Sequence, residues 1–175
     1  MACGSLKLTG LARDCDANIG GVKKVWLAIY QDNMFTVSAG TDGDEVSAIA
    51  TGSKWYEYNF RKGTASMTST LNIDDANGIN FCQTDLSLIF SRMETKKRTE
   101  MAALATGEVC AIVLDCNDHY WAMGVSEPVT SSAGAGQTGT ARSDANNYTL
   151  TLTDYYKSYP LEIVAEAAKG ITTGE

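Results

Sequence analysis

The sequence predicts a mainly β fold, a β-sandwich or rolled barrel with one flanking α-helix and a long hairpin. Short stretches in which apolar and polar residues alternate recur along the chain, separated by Gly, Asn and Asp turn signals. One segment alone, "SRMETKKRTEMAALATG", combines helix-forming composition with end signals. Between them, residues 64–90 read as two long strands around a turn.

In chain order, "GGVKKVWLAIYQDN" sets Val25, Leu27 and Ile29 opposite Trp26, Ala28 and Tyr30, a strand introduced by Gly20 and Gly21. "EVSAIAT" and "KWYEYNFRKG" follow as strands around Gly52 and Ser53, with Tyr56, Tyr58 and Phe60 on one face. In "TASMTSTLNIDDANGINFCQTDLSLIF", Ala65, Met67, Ser69, Leu71 and Ile73 alternate with Thr64, Ser66, Thr68, Thr70 and Asn72. The run from Asp74 to Asn77 reverses the chain, and Cys82, Leu86, Leu88 and Phe90 alternate with Gln83, Asp85 and Ser87 on the return. Placing Ile73 opposite Gly78 sets Thr68 opposite Gln83 and Ser66 opposite Asp85, and both strands then agree on one dry face and one hydroxyl-rich face.

The helical segment follows, with Ser91 and Glu94 at capping-box spacing, an inward stripe of Met101, Leu104 and Ala105, and Gly107 as its stop. Its cations Arg92, Lys96, Lys97 and Arg98 read as a solvated face, with a phosphate or partner contact as the alternative. "EVCAIVLDCNDHYWAMG" reads as a hairpin turning at Asn117 and Asp118. "NYTLTLT" and "LEIVAEA" close the fold as strands.

Residues 126–146 are dominated by Gly, Ala, Ser and Thr and read as a flexible loop. Within it "GAGQTG" has the spacing of a dinucleotide-binding turn. That chemistry needs a buried strand before the glycines and a helix after them, so that helix N–H groups meet the pyrophosphate. A loop precedes this one and a strand pattern follows, so the glycines are assigned to the loop.

The 175 residues fit one β-rich domain, 1–175, with an N-terminal extension over about 1–20. No apolar run approaches the roughly 18 residues of a spanning helix, and no basic segment leads into an apolar core at the start. The expectation is a soluble protein without a secretion signal or a membrane partner. The five cysteines include no C-x-x-C pair and read as reduced, buried small hydrophobes. Fourteen basic against twenty-one acidic side chains give a net charge of −7, which disfavours a tight grip on nucleic acid but suits a wall that DNA must slide past.

Catalysis finds little to work with. His119 is the single histidine and sits beside a turn, and no G-x-S-x-G elbow or Walker loop is present. "DCDANIGG", "TDGDE" and "DDANG" are explained by turn chemistry; in the first, Ile19 stands where a calcium loop requires glycine. No enzyme activity, catalytic residue, cofactor or metal site is expected.

Three stretches, "LTGLARDCDANIGGVKKVWLA", "YEYNFRKGTASMTSTLNIDDANGINFCQTDLSLIFSRMETKKRTEMAAL" and "YWAMGVSEPVTSSAGAGQTGTARSDANNYTLTL", together covering most of the chain, resemble virion structural proteins of tailed bacteriophages. The likeness is to tail tube (major tail) proteins and related tail rings, particularly of phages of gut Bacteroides-type hosts. It implies a subunit made in the host bacterial cytoplasm that self-assembles into rings, commonly hexamers and possibly stacked, through which DNA passes without tight binding. Tail or connector proteins are the further partners. Ser66, Thr68, Thr70, Gln83, Asp85 and Ser87 are then expected to face the channel, and Met67, Leu71, Ile73, Leu86 and Leu88 to pack on the subunit body. Ser131, Ser132, Gly134, Gly136 and Gly139 become an inter-subunit arm. A head-to-tail connector ring and a capsid-surface decoration module are the alternatives.

Overall fold

The computed structural model describes residues 10, 11, 13, 15–40 and 43–171. It is mainly β, with antiparallel strand pairing. Strands β1 (Val22–Ile29), β2 (Phe35–Ala39), β3 (Asp44–Ile49), β4 (Tyr56–Tyr58), β5 (Ala65–Asp74) and β6 (Ile79–Ser91) precede helix α1 (Thr95–Thr106). After it come β7 (Val109–Asp115), β8 (Tyr120–Met123), β9 (Thr130–Gln137), β10 (Asn147–Tyr156), β11 (Leu161–Glu162) and the short α2 (Ala165–Ala168). One sheet has the order β11-β8-β7-β1-β4, a second β5-β6-β10-β9, and β2 pairs with β3 alone. Among the described residues no helix is long and apolar enough to cross a membrane.

The five-stranded sheet is buried on both faces. Val25, Leu27, Ala111, Val113 and Met123 meet Ala65, Leu86, Leu88, Leu150 and Leu152 of the four-stranded sheet, with Leu104 of α1 alongside. On the other face Trp26, Ala28, Ile112 and Leu114 meet Met34, Phe35, Val46, Trp55 and Ile163. This is why "VCAIVL" in β7 is apolar without interruption, a run that alternation rules read poorly. Among the described residues the four-stranded sheet packs with one face only, and its other face is free to be polar.

Several elements depart from expectation. The 74–79 turn closes with Asp74 opposite Ile79, so Thr68 faces Asp85 and Ser66 faces Ser87, two residues from the expected register. Gly78 belongs to the turn, at φ 66°, and the Asp74 carboxylate accepts hydrogen bonds from the Ala76 and Asn77 N–H groups and the Asn77 side chain. An even-numbered slip leaves every side chain on its expected face. Leu71 and Ile73, however, do not pack on the body: they are 37% and 61% exposed, because the hairpin tip extends past the sheet beneath it.

The Ser91 capping box does not form. Ser91 ends β6 and α1 starts after Glu94 with no side-chain cap; Ala105 of the expected inward stripe is exposed, while Leu104 is buried and Met101 half-buried. The second half of "LEIVAEA" is α2, and β2 was not anticipated at all. The N-terminal extension lies partly outside the described residues; its end is held where Asn117 Oδ1 accepts from the Ile19 N–H at 2.8 Å and Asn117 Nδ2 donates to Asn18 Oδ1 at 2.9 Å. Cys82 and Cys110 are buried free thiols as expected, but Cys15, in the irregular segment before β1, is exposed and Cys116, in the turn after β7, is half-buried; Cys3 lies outside the described residues.

Candidate channel and assembly surface

The six residues expected to face a channel share the open face of the four-stranded sheet. In register across it, Ser66 lies opposite Ser87, Ser87 opposite Thr151 and Thr151 opposite Ala133. The next row runs Thr68, Asp85, Thr153 and Thr130, and the one beyond it Thr70, Gln83 and Tyr155. Strand β10 was read as a strand, but its threonines were not assigned to this face. Their alternation with Leu150 and Leu152 was the available signal; that β10 pairs with β6 was not legible.

The face is mostly neutral and internally satisfied. The Thr153 hydroxyl donates to Asp85 Oδ1 at 2.6 Å and lies 2.8 Å from Ser132 Oγ. Gln83 Nε2 donates to both Asp85 oxygens, at 3.0 and 3.3 Å. None of the chain's fourteen lysines and arginines lies on any of the four strands. Toward the tip the face becomes apolar, where the Phe81 and Tyr155 rings meet edge-on at 5.8 Å.

The assigned arm is corrected by β9. Ser131, Ser132, Gly134 and Gly136 lie in this strand, which pairs along β10, and of the expected 126–146 loop only the stretches on either side of it, 126–128 and 138–146, are irregular. Small residues are used here for close approach: a Cβ on Gly136 would stand 2.9 Å from the Tyr148 ring and 3.2 Å from Met93, whereas one on Gly134 meets nothing nearer than 3.7 Å. Gly139 takes φ 69° in the following turn, which Asp144 closes by accepting from the Thr140 and Ala141 N–H groups. Gly136→Val should therefore cost about 1 to 3 kcal/mol by overpacking, and Gly134→Val much less, in paired thermal melts. A free arm would tolerate both.

On the inner face of the same sheet, Ser69 and Thr84 hydroxyls lie 2.9 Å apart, and Thr84 is opposite Asp154. Asp154 is buried, and its Oδ2 accepts from the Gly124 N–H at 3.1 Å, tying this sheet to the end of β8. Burial pushes its carboxyl up to about 6, against the smaller opposing effect of N–H groups from Gly124 and Tyr155. The folded state thus holds this proton more tightly than the unfolded chain. The associated stability, up to about 3 kcal/mol, is full below pH ~4 and is lost as pH rises through 6. Asp154→Asn keeps the acceptor and removes the titration. Denaturant midpoints at pH 4 and pH 7 should show the parent losing ground to the variant at the higher pH.

Among the described residues, strands β5 and β9 each have one strand neighbour, and neither carries the lysine, arginine or proline that commonly protects an edge from a further strand; α1 packs beside β9. No protein-family model matches the chain, and no curated protein or solved structure matches it at a significant level.

Proposed function

We propose that this protein is a virion structural subunit that joins copies of itself into a ring, with the four-stranded sheet lining a channel through which DNA passes. The observation that carries this reading is that, among the described residues, both sheet edges lack a further strand while the strands between them present a polar face free of cations. Edge strands with unpaired N–H and C=O groups are templates for a further strand. The sheet has an even number of strands, so β5 of one copy meets β9 of the next running the opposite way, and the antiparallel alternation continues across each junction. Head-to-tail joining of this kind closes into a ring when the rotation per copy divides a full turn.

Within the ring, the two packed sheets form a β-sandwich with α1 at its flank. Hydroxyls and one tethered carboxylate face the lumen and offer phosphates no counter-charge, which lets DNA slide. The reading fits a tail tube or tail ring in the virion, with hexamers the expected size and no catalytic role. Negative-stain images of the purified protein, with its mass in solution measured beside them, test it. Rings with an open centre are the expected result; a monodisperse monomer at high concentration contradicts it.

A further inference from the structure

The β5–β6 hairpin is electrically polar along its length. No lysine or arginine occurs from residue 63 to 91, while Asp74 and Asp75 sit at its tip. At its base stand Arg61 and Lys62 before β5, and Arg92, Lys96, Lys97 and Arg98 after β6. Lys97 pairs with Glu94 at 2.9 Å; among the described residues none of the other five has a carboxylate within ion-pair distance. Ten strand residues separate tip from base by roughly 33 Å, several screening lengths at physiological salt. The two charges cannot meet within one copy.

Shape and apolarity run in parallel with charge. The tip exposes Leu71, Ile73 (61%) and Ile79 (43%) beside its aspartates. The base carries a shallow groove of about 350 Å³ with Phe60, Ile89 and Phe90 as apolar lining and Arg61, Arg92 and Lys97 as basic lining. An acidic, apolar knob and a basic, apolar groove therefore occupy opposite ends of one hairpin.

We infer that the hairpin tip of one copy docks into the basic groove at the hairpin base of a second copy. Copies stacked in the same direction, as successive rings require, leave a free groove at one end and a free tip at the other, so the association is head-to-tail and does not close on itself along the strand direction. It rests on the ring reading for its setting, and it names what would stack one ring on the next. The opposite charges give that stacking its direction and its sensitivity to salt.

Asp75→Lys and Arg61→Glu test it, since both side chains are exposed and make no hydrogen bond within the described chain. Sedimentation of the full-length protein and each variant, with negative-stain images, gives the readout. Each single variant should weaken end-to-end association at least tenfold, and the double variant, which restores opposite charges, should recover it. A parent whose stacking ignores Asp75→Lys, or a double variant no better than the singles, overturns the inference. Rings without charge-dependent stacking overturn it alone; charge-dependent strings without rings overturn the ring reading alone. Duplex DNA retained through Arg61 while Asp75→Lys leaves association unchanged assigns the groove to nucleic acid and also overturns it.

Discussion

A single proline in β5 is expected to abolish ring assembly while leaving the subunit folded. Successive N–H groups of a strand point alternately to its two sides, so of Ser69→Pro and Thr70→Pro one removes a bond to β6 and the other removes a donor on the open edge. The second leaves the partner strand's carbonyl unpaired and sets a ring where that strand must lie. A loss of about 2 kcal/mol per junction, roughly thirtyfold, is the expected scale for an unpaired buried group. A closed ring multiplies it over every junction. Far-ultraviolet circular dichroism should report one of the two variants as native-like, and its sedimentation should report monomer. Rings formed by both variants would remove β5 from the interface.

The second large effect concerns the open face. Ser66→Lys with Thr151→Lys puts two cations per copy in one row of the sheet, with a single carboxylate, Asp85, in the row beside it. Rings should still form, because neither side chain packs against the body. They should now hold DNA at low salt and release it steeply as salt rises. For six to ten phosphates engaged, affinity falls by about 10³ to 10⁵ between 50 and 200 mM. Filter binding across a salt series measures this. Lysine-bearing rings that ignore DNA would turn this face away from the channel, and lost assembly with an intact fold would place it in a contact between subunits.

What was legible in the sequence follows from how locally each feature is determined. Alternation over Thr64 to Phe90 gave the hairpin and both of its faces, because side-chain direction depends only on parity. The register was missed by two residues, since Asp74 and Gly78 both admit the turn and only the Asp74 hydrogen bonds choose between them. Strand β9 is not legible in the sequence because Ser, Ala and Gly carry no pattern of their own; its identity comes from backbone pairing along β10. Non-local facts, such as β10 lying between β6 and β9, leave no mark in a single sequence. The two open edges, on which the assembly reading rests, became visible only with the sheet order.

Cross-linking across the supposed junction tests the central claim most directly. Cysteines placed at Thr68 or Thr70 of β5 and at Ala133 or Ala135 of β9 lie on the same face of the two open edges. Oxidised under native conditions and read on denaturing gels, at least one pairing should give a ladder of covalent oligomers. That ladder should end at the ring's copy number, above the background set by the parent's own thiols. Subunits that form rings yet stay uncross-linked in all four pairings would contradict joining through β5 and β9.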